Sequence, residues 1–391
     1  MMAAIVAAKA GKKVCILEKQ NKAGKKIYAT GNGKCNFTNK NMSSNYFYGD
    51  KSFIESVLEA FSVEDCLEFF HSIGIYPREK NGYYYPNSEQ AASVVEALCE
   101  ELLRLDVQIY YDVTIKGLDS TDGTVIITTS QDKYIAKRLI IATGLLASPK
   151  LGSDGSIFDA IKALGHRFAP ILPALCGFYC NGMDFKRVSG VRALGTVSAY
   201  VDGVQVAEDT GEIQFTDYGL SGIPVFQISH YLSKGLYGKK EVCIVMNLLP
   251  EFDKLRLLKE LHFRKDLYRK EPVSYLLKGL LNQKLADEII YGLHLKKDMI
   301  CEQLDSQQLE QLLCQLTAYK VQVTRYRDYE FAQICTGGIP VSDIHWDTLE
   351  SKLAPQVHFA GELIDVDGIC GGYNLHFAWA TGYIAGKAVS K

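Results

Sequence analysis

The sequence predicts an α/β protein that contains part of a dinucleotide-binding βαβ unit. Residues 1–10 are alanine-rich and typical of a helix, and Gly11 follows where helices commonly end. Residues 14–17 form a short continuous apolar run, which indicates a strand buried on both faces of a parallel sheet. Glu18 closes this run, where such units carry the acid that binds the adenosine ribose. Any α/β protein can contain a helix, a strand and a glutamate in this order, so an unrelated α/β fold remains the alternative at this point.

The position of Glu18 predicts that part of this unit precedes Met1. The acid lies roughly 20 residues after the glycine fingerprint G-x-G-x-x-G in dinucleotide-binding proteins. Counting back from Glu18 passes Met1, so the first strand and its glycine turn are expected upstream of the sequence. A start codon placed too late is the simplest explanation, and a truncated gene is the alternative. Because those glycines supply amides that cradle a pyrophosphate, we expect the chain as given to bind a dinucleotide poorly.

Cap and turn signals divide the rest of the chain. The predicted elements are a glycine-rich loop over 24–39, a helix capped by Ser62 and Asp65 and ended by Gly74, a hairpin over 76–85 turning at Asn81-Gly82, a helix over 88–105, and a β-meander with a turn at Asp122-Gly123. Alternating runs over about 170–250 indicate antiparallel β-structure. Residues 253–316 are typical of helices, strand character resumes after Ala318, and a final helix begins at Tyr373.

The strongest functional signal lies near the C-terminus. A predicted buried strand leads into Gly361, Glu362 and Asp365, at the edge where ligands bind in open α/β sheets. Gly371-Gly372 then opens the helix at Tyr373, whose unpaired amides and positive dipole end suit an electron-rich group. The alternative is a flexible turn with solvated carboxylates.

A weaker signal is Ala142-Thr143-Gly144 at the end of another predicted buried strand. Glycine lets backbone approach a nucleotide closely, although the same tripeptide can simply form a tight strand exit. Because this motif, Glu18 and the C-terminal block occur in the order that a nucleotide-binding protein requires, the nucleotide interpretation is favoured.

Composition excludes several other classes of protein. The net charge of -2 provides no basic surface for nucleic acid or anionic lipid. The eleven cysteines show neither a C-x-x-C pair nor a metal-ligand spacing, which indicates free thiols in a reducing compartment and no metal site. No apolar run approaches the roughly 20 residues of a membrane span. We therefore expect a cytoplasmic protein that acts on a small molecule, without nucleic-acid or membrane partners; the oligomeric state is not predicted.

Over nearly its whole length the chain resembles the bacterial FAD-dependent family that includes BaiN-like bile-acid reductases and aminoacetone oxidase-like enzymes. The matching segments are 24–27, 30–39, 149–155, 215–222, 336–338 and 361–375. The segments 31–39 and 361–375 are the specific ones, and the others support them.

This resemblance implies a Rossmann-like, two-dinucleotide-binding-domain flavoprotein fold with an inserted β domain and a helical subdomain. The implied domains are a discontinuous FAD-binding domain over 1–169 and 336–391, a barrel-like β domain over 170–250 and 319–335, and a helical subdomain over 251–318.

The resemblance also implies which residues hold the adenosine half of FAD. Glu18 would bind the ribose, and Lys25 and Lys26 would lie along the adenosine–pyrophosphate side. The backbone of Val113 would touch the adenine.

At the flavin half, the resemblance implies that Asp365 binds the ribityl chain and that Asn374 and Leu375 offer amides to the ring. The other implied cofactor-binding residues are Gly31, Gly33, Cys35, Asn36, Ala142, Thr143, Gly144, Gly361, Glu362, Gly372 and Tyr373. A thiol beside a flavin suggests redox chemistry, but Cys35 has no visible partner, so packing is the favoured role.

The chain departs from the family pattern in three places. The opening strand and glycine fingerprint are absent from the sequence as written. Leu145 follows Ala142-Thr143-Gly144 where relatives usually carry a second glycine. Asp217 stands where relatives often have a histidine, which changes the chemistry if that histidine contacts substrate.

The function expected from these features is FAD-dependent hydride transfer through flavin N5, between a nicotinamide or organic donor and a small organic substrate or oxygen. NAD(P)H is a candidate donor, and the substrate is expected near 215–222 and 336–338. No catalytic acid or base is identified, and no serine–histidine–aspartate order suggests a competing mechanism. The alternatives are a flavin- or nucleotide-binding protein without turnover and an RNA-modifying flavoprotein.

Overall fold

The computed structural model describes residues 1–121, 123–296 and 299–391. Contacts within the chain divide them into two compact units, the first comprising Met1–Leu172 and Gln333–Lys391 and the second Pro173–Ala332. The predicted α/β class is confirmed. Part of the turn expected at Asp122-Gly123 lies outside the described residues, because Asp122 is not among them. Within the described parts of the chain, no helix has both the length and the apolar character needed to cross a membrane.

The N-terminal part of the first unit alternates helices with short strands. In chain order these are α1 (Met2–Lys9), β1 (Cys15–Leu17), α2 (Lys25–Ala29), β2 (Thr38–Asn39), β3 (Phe47–Tyr48), α3 (Lys51–Ala60), α4 (Val63–Ser72), β4 (Pro77–Lys80), β5 (Tyr83–Pro86), α5 (Ala91–Arg104), β6 (Gln108–Tyr110), β7 (Ile115–Thr121), β8 (Thr124–Thr129), β9 (Lys133–Ala136), β10 (Leu139–Ile141), α6 (Phe158–Ala163) and β11 (Ala169–Ala174).

Local signals located several of these elements correctly. Gly11 ends α1 with a φ of 78°. Ser62 and Asp65 form a reciprocal capping box at the start of α4, and Gly74 follows that helix with a φ of 92°. The hairpin of β4 and β5 turns at Asn81-Gly82, where both residues have positive φ. These predictions hold because a cap or a tight turn depends on residues that are adjacent in sequence.

Two predictions about the start of the chain are wrong. The segment expected as a loop over 24–39 contains α2 and a 3₁₀ turn, Thr30–Gly33. The strand expected to be buried on both faces is β1, in which Cys15 is exposed and Ile16 and Leu17 are half-buried. The physical reason is that β1 pairs in parallel with β6 alone, so within the described residues its other edge has no strand neighbour.

The second unit is built around a closed barrel. Its elements are β12 (Phe178–Asn181), α7 (Phe185–Val188), β13 (Arg192–Val201), β14 (Val204–Phe215), β15 (Gly219–Ser221), α8 (Ile223–Tyr237), β16 (Val242–Asn247), α9 (Lys254–Leu267), α10 (Gln283–Gly292), α11 (Ser306–Thr317) and β17 (Tyr319–Tyr326). The barrel order is β12-β15-β14-β13-β16-β17, and each pair of neighbouring strands in it is antiparallel.

Helix α8 corrects the sequence prediction of antiparallel β-structure over about 170–250, which did not include a helix. It packs against β13 and β14 and buries Val225, Ile228 and Leu232. Branched and aromatic residues fill its sequence, and Pro224 stands in its first turn, so the segment looks locally like a strand bounded by turns. Tertiary packing overrides that propensity.

The chain returns to the first unit through β18 (Ile334–Gly338), β19 (Val357–Phe359), β20 (Asp367–Gly368) and α12 (Tyr373–Ala388). Strand β19 pairs in parallel with β10 in a second two-stranded sheet. Helix α12 packs closely against α1. A Cβ atom added at Gly386 of α12 would stand only 2.7 Å from the Ala3 carbonyl oxygen of α1. The double glycine Gly371-Gly372 directly precedes this largely buried helix.

Candidate cofactor-binding site

The start of α12 is an uncapped helix end lined by glycine. Gly372 is the N-cap residue, with a φ of 91°, and no side chain caps the helix. The amides of the first turn therefore point away from the helix without an intrahelical acceptor. A Cβ atom at Gly372 would lie 2.8 Å from the Thr38 carbonyl oxygen and from Asn36 Oδ1, so only glycine fits here. The predicted segments 31–39 and 361–375 thus meet at this point.

Asn36 supplies an orphaned acceptor beside this helix end. The residue is 9% exposed, and its buried Oδ1 has no hydrogen-bond partner among the described residues. Gly31 brings backbone close to the same residue, because a Cβ atom there would lie 2.9 Å from the Asn36 nitrogen. A buried acceptor without a partner costs free energy unless a ligand donates to it. This acceptor next to free helix amides fits the pyrimidine edge of a flavin, which carries one donor between two acceptors.

The side chain of Asn374, in the first turn of α12, already forms hydrogen bonds within the protein. The Asn374 amide group donates to the Gly368 carbonyl at 2.7 Å and accepts from the Gly368 amide at 2.8 Å. The Asn374 side chain is therefore held by Gly368, which is compatible with the predicted role of its backbone amide toward the flavin ring. Asp365, predicted to meet the ribityl chain, is half-buried, and its backbone amide donates to the Ile339 carbonyl at 2.9 Å.

A second group of predicted residues gathers around Glu362. Its Oε2 lies 2.8 Å from Lys26 Nζ, and its Oε1 accepts the Cys335 amide at 2.8 Å. A Cβ atom at Gly144 would stand 3.9 Å from Oε2 of the same carboxylate. Lys26 also lies 3.4 Å from the Ala147 carbonyl oxygen. The sequence predicted Lys26 and Glu362 as separate cofactor-binding residues. Their ion pair was not predicted.

The residues predicted to contact the adenosine half of FAD lie close together just after the C-terminal end of β1. The Glu18 carbonyl accepts the Val113 amide at 3.0 Å, and the Glu18 carboxylate accepts the Gln20 amide at 2.8 Å. Gln20 in turn accepts Lys25 Nζ at 2.8 Å and packs against Gly152. Gln20 was not predicted; its position two residues after Glu18 was the available signal.

The remaining predicted residues lie in the same unit. Ala142 and Thr143 are exposed just after β10, Gly33 ends the 3₁₀ turn with a φ of 82°, the Gly361 amide donates to Thr381 Oγ1 at 2.9 Å, Tyr373 is buried and Leu375 is half-buried. Cys35 is fully buried, and burial raises the pKa of its thiol to about 12. A thiol held protonated in this way favours a packing role over redox chemistry.

Comparison with known proteins shows the family. The family model of the HI0933-like protein Rossmann domain matches residues 1–388. The chain belongs to the HI0933-like family. A 3-dehydro-bile acid delta(4,6)-reductase from Clostridium scindens is 39% identical over 100% of this chain and 96% of that protein. A ribosomal RNA dihydrouridine synthase from Escherichia coli is 26% identical over 98% of this chain and 93% of that protein.

Solved structures agree on the fold of this HI0933-like chain. The 3-ketosteroid-delta4-(5alpha)-dehydrogenase from Rhodococcus jostii RHA1 matches with a TM-score of 0.50 and 16% identity, covering 100% of this chain and 94% of that one. Together with the family match, this confirms the predicted Rossmann-like class and the resemblance to FAD-dependent oxidoreductases. The HI0933-like chain is therefore an oxidoreductase.

The HI0933-like fold also brings together a serine, a histidine and an aspartate that the sequence order did not suggest. His166 Nε2 lies 2.7 Å from Ser351 Oγ, and His166 Nδ1 lies 3.8 Å from the Asp343 carboxylate. Ser351 is only 2% exposed, and its hydroxyl accepts the amides of Leu353 and Ala354. A buried hydroxyl tied to two amides cannot reach a substrate, so the trio fixes a loop.

Buried histidines should make this HI0933-like protein sensitive to acid. His376 is fully buried, donates from Nε2 to the Phe61 carbonyl at 3.1 Å and contacts Thr38 Oγ1 through Nδ1 at 2.8 Å. Burial lowers its pKa to about 4. Because the unfolded chain takes up this proton more readily, stability is complete above the unfolded pKa of about 6.5 and falls as the pH approaches 4. The loss attributable to His376 is about 3 kcal/mol.

Urea unfolding at a series of pH values between 7.5 and 4 measures this loss, with the pH range set by the two pKa values. The variant His376→Gln should show a shallower decline than the unaltered chain, whereas His262→Gln, at an exposed position, should not. An identical pH dependence in all three proteins would contradict the assignment.

Proposed function

We propose that this oxidoreductase uses FAD to reduce a carbon–carbon double bond conjugated with a ketone in a fused-ring acid. The observation that carries the proposal is the 39% identity, over the whole chain, with the 3-dehydro-bile acid delta(4,6)-reductase. The orphaned acceptor of Asn36 and the uncapped start of α12 support a flavin as the cofactor.

When bound, FAD would supply hydride transfer through its N5 atom, which is chemistry that no side chain provides. The residues of this chain would hold and orient it: Asn36 and the first amides of α12 at the pyrimidine edge, and Glu18 at the ribose. Positive charge at a helix N-terminus favours the anionic reduced ring, so α12 would also ease reduction. We propose NAD(P)H as the electron donor; the substrate double bond then gains a hydride and a proton while NAD(P)H becomes NAD(P)⁺.

The test is an anaerobic half-reaction. The chain is reconstituted with FAD, reduced with NADH or NADPH, and mixed with a 3-dehydro-bile acid that carries a conjugated double bond. We expect the visible flavin band to bleach on reduction and return on mixing, and the product to gain two hydrogen atoms by mass spectrometry. Bound flavin that neither nicotinamide reduces, and that the substrate does not reoxidise after chemical reduction, would identify a binding protein without turnover.

A second candidate function is reduction of uridine in ribosomal RNA, which the 26% identical dihydrouridine synthase supports. The net charge of -2 argues against it, because RNA binding requires a basic surface. In the same half-reaction, reoxidation of the reduced flavin by a ribosomal RNA transcript, with no response to the steroid acid, would favour this candidate.

A further inference from the structure

The second unit carries a cluster of two arginines and three aromatic residues at one end of the barrel. We call it the arginine–aromatic cluster: Tyr179, Tyr218, Arg325, Arg327 and Phe331. The Arg327 guanidinium carbon lies 3.7 Å from the ring centroid of Phe331 and 4.2 Å from that of Tyr218. The Arg325 guanidinium lies 4.1 Å above the ring of Tyr179, and the two tyrosine rings are 5.0 Å apart.

Backbone pairing fixes the positions of these side chains. Tyr179 of β12 stands directly opposite Arg325 of β17. The Arg327 amide donates to the Gly177 carbonyl at 2.9 Å, which holds the chain just beyond β17 against the start of β12. Because Gly177 has no side chain, Tyr218 can approach it: a Cβ atom there would lie 3.1 Å from the tyrosine hydroxyl. The cluster is therefore organised by the barrel itself.

Neither arginine of the cluster has an acidic partner within the described part of the chain. Other arginines of the same unit do, such as Arg187 with Glu288 and Arg269 with Glu302. Arg327 Nε is buried and has no hydrogen-bond partner among the described residues. A desolvated guanidinium nitrogen without an acceptor is costly, and aromatic faces do not replace an acceptor in the plane of the guanidinium.

We infer that the arginine–aromatic cluster binds the carboxylate of the substrate acid. A guanidinium offers parallel N–H donors that match a carboxylate in bidentate fashion, and stacking on Tyr218 and Phe331 holds its plane in place. The apolar body of the acid would pack on the exposed part of Phe331, which is 53% exposed. The naming of a fused-ring acid rests on the proposed function, whereas the carboxylate preference rests on the cluster alone.

Binding of two probes to this chain tests the inference without requiring turnover. The probes are a 3-dehydro-bile acid and its methyl ester, measured by equilibrium dialysis. We expect Arg327→Gln to weaken binding of the acid at least about tenfold, the loss of one charge-assisted contact, and to leave binding of the ester unchanged. Arg192→Gln, on the same barrel but exposed and paired with Glu212, is the matched control and should bind both probes normally.

Several outcomes would overturn the assignment. They are equal binding of acid and ester by the unaltered chain, equal weakening of both by Arg327→Gln, or no binding of either probe. If Arg327→Gln does not fold by circular dichroism, Arg325→Gln replaces it with the same expected selectivity. Failure of the proposed function is distinguishable, because selective binding of the acid without flavin reoxidation rejects the reaction and retains the cluster. Turnover of acid and ester with equal KM retains the reaction and rejects the cluster.

Discussion

Replacement of Gly372 by alanine should abolish stable FAD binding. The new methyl group would stand 2.8 Å from the Thr38 carbonyl oxygen and from Asn36 Oδ1, the acceptor proposed to meet the flavin. The backbone at residue 372 cannot move away from these two oxygen atoms without displacing the start of α12. The left-handed φ of 91° adds strain of about 1–3 kcal/mol for a residue with a side chain. We therefore expect the dissociation constant for FAD to rise by more than about 100-fold, which corresponds to about 3 kcal/mol.

Gly74→Ala provides the matched control for strain alone. Gly74 has a φ of +92°, almost the value of Gly372, but a Cβ atom there meets nothing within 4 Å. FAD titration monitored by quenching of flavin fluorescence measures both variants. Gly74→Ala should bind FAD like the unaltered chain despite a small loss of stability. Equal affinities of the Gly372→Ala variant and the unaltered chain would show that the flavin does not bind at this helix end.

Replacement of Glu362 by alanine should cost about 2 kcal/mol of unfolding free energy. The substitution leaves the Cys335 amide without its acceptor and Lys26 Nζ without its carboxylate. The Glu362 side chain is 18% exposed and that of Lys26 30%, so solvent weakens the ion pair and the lost amide acceptor contributes most. Urea unfolding measures the difference through the transition midpoint.

Two further variants separate these contributions. Glu362→Gln retains an oxygen for the Cys335 amide and should cost less than Glu362→Ala. Glu212→Ala removes an exposed partner of Arg192, whose side chain is 62% exposed, and should change stability by less than about 0.5 kcal/mol. A loss from Glu362→Ala no larger than that from Glu212→Ala would refute the structural importance of this carboxylate.

Local chemistry made part of the fold predictable from sequence. The capping box of Ser62 and Asp65 and the turn at Asn81-Gly82 each depend on a few neighbouring residues, and the structure shows both. Helix α8 was missed because its residues favour strands and are buried by the barrel, an effect that no local signal records. The exposure of Cys15 likewise follows from the sheet, because among the described residues β1 pairs with β6 alone, which the apolar run does not record.

The candidate site was predictable only as separate segments. The sequence indicated that Asn36 and Gly372 belong near a flavin, but not that Asn36 Oδ1 lacks a partner beside the glycine. Lys26 and Glu362 are 336 residues apart, so their pairing follows from the tertiary fold alone. The arginine–aromatic cluster left no sequence signal, because Tyr179 and Arg327 meet only when β12 and β17 pair in the barrel.

The visible absorbance spectrum of the purified protein, after incubation with FAD and gel filtration, shows whether the protein retains a flavin. It should be recorded for the unaltered chain and for the Gly372→Ala variant. We expect a retained flavin spectrum that Gly372→Ala removes. Absence of bound flavin from the unaltered chain would contradict the assignment of this chain as a FAD-dependent oxidoreductase.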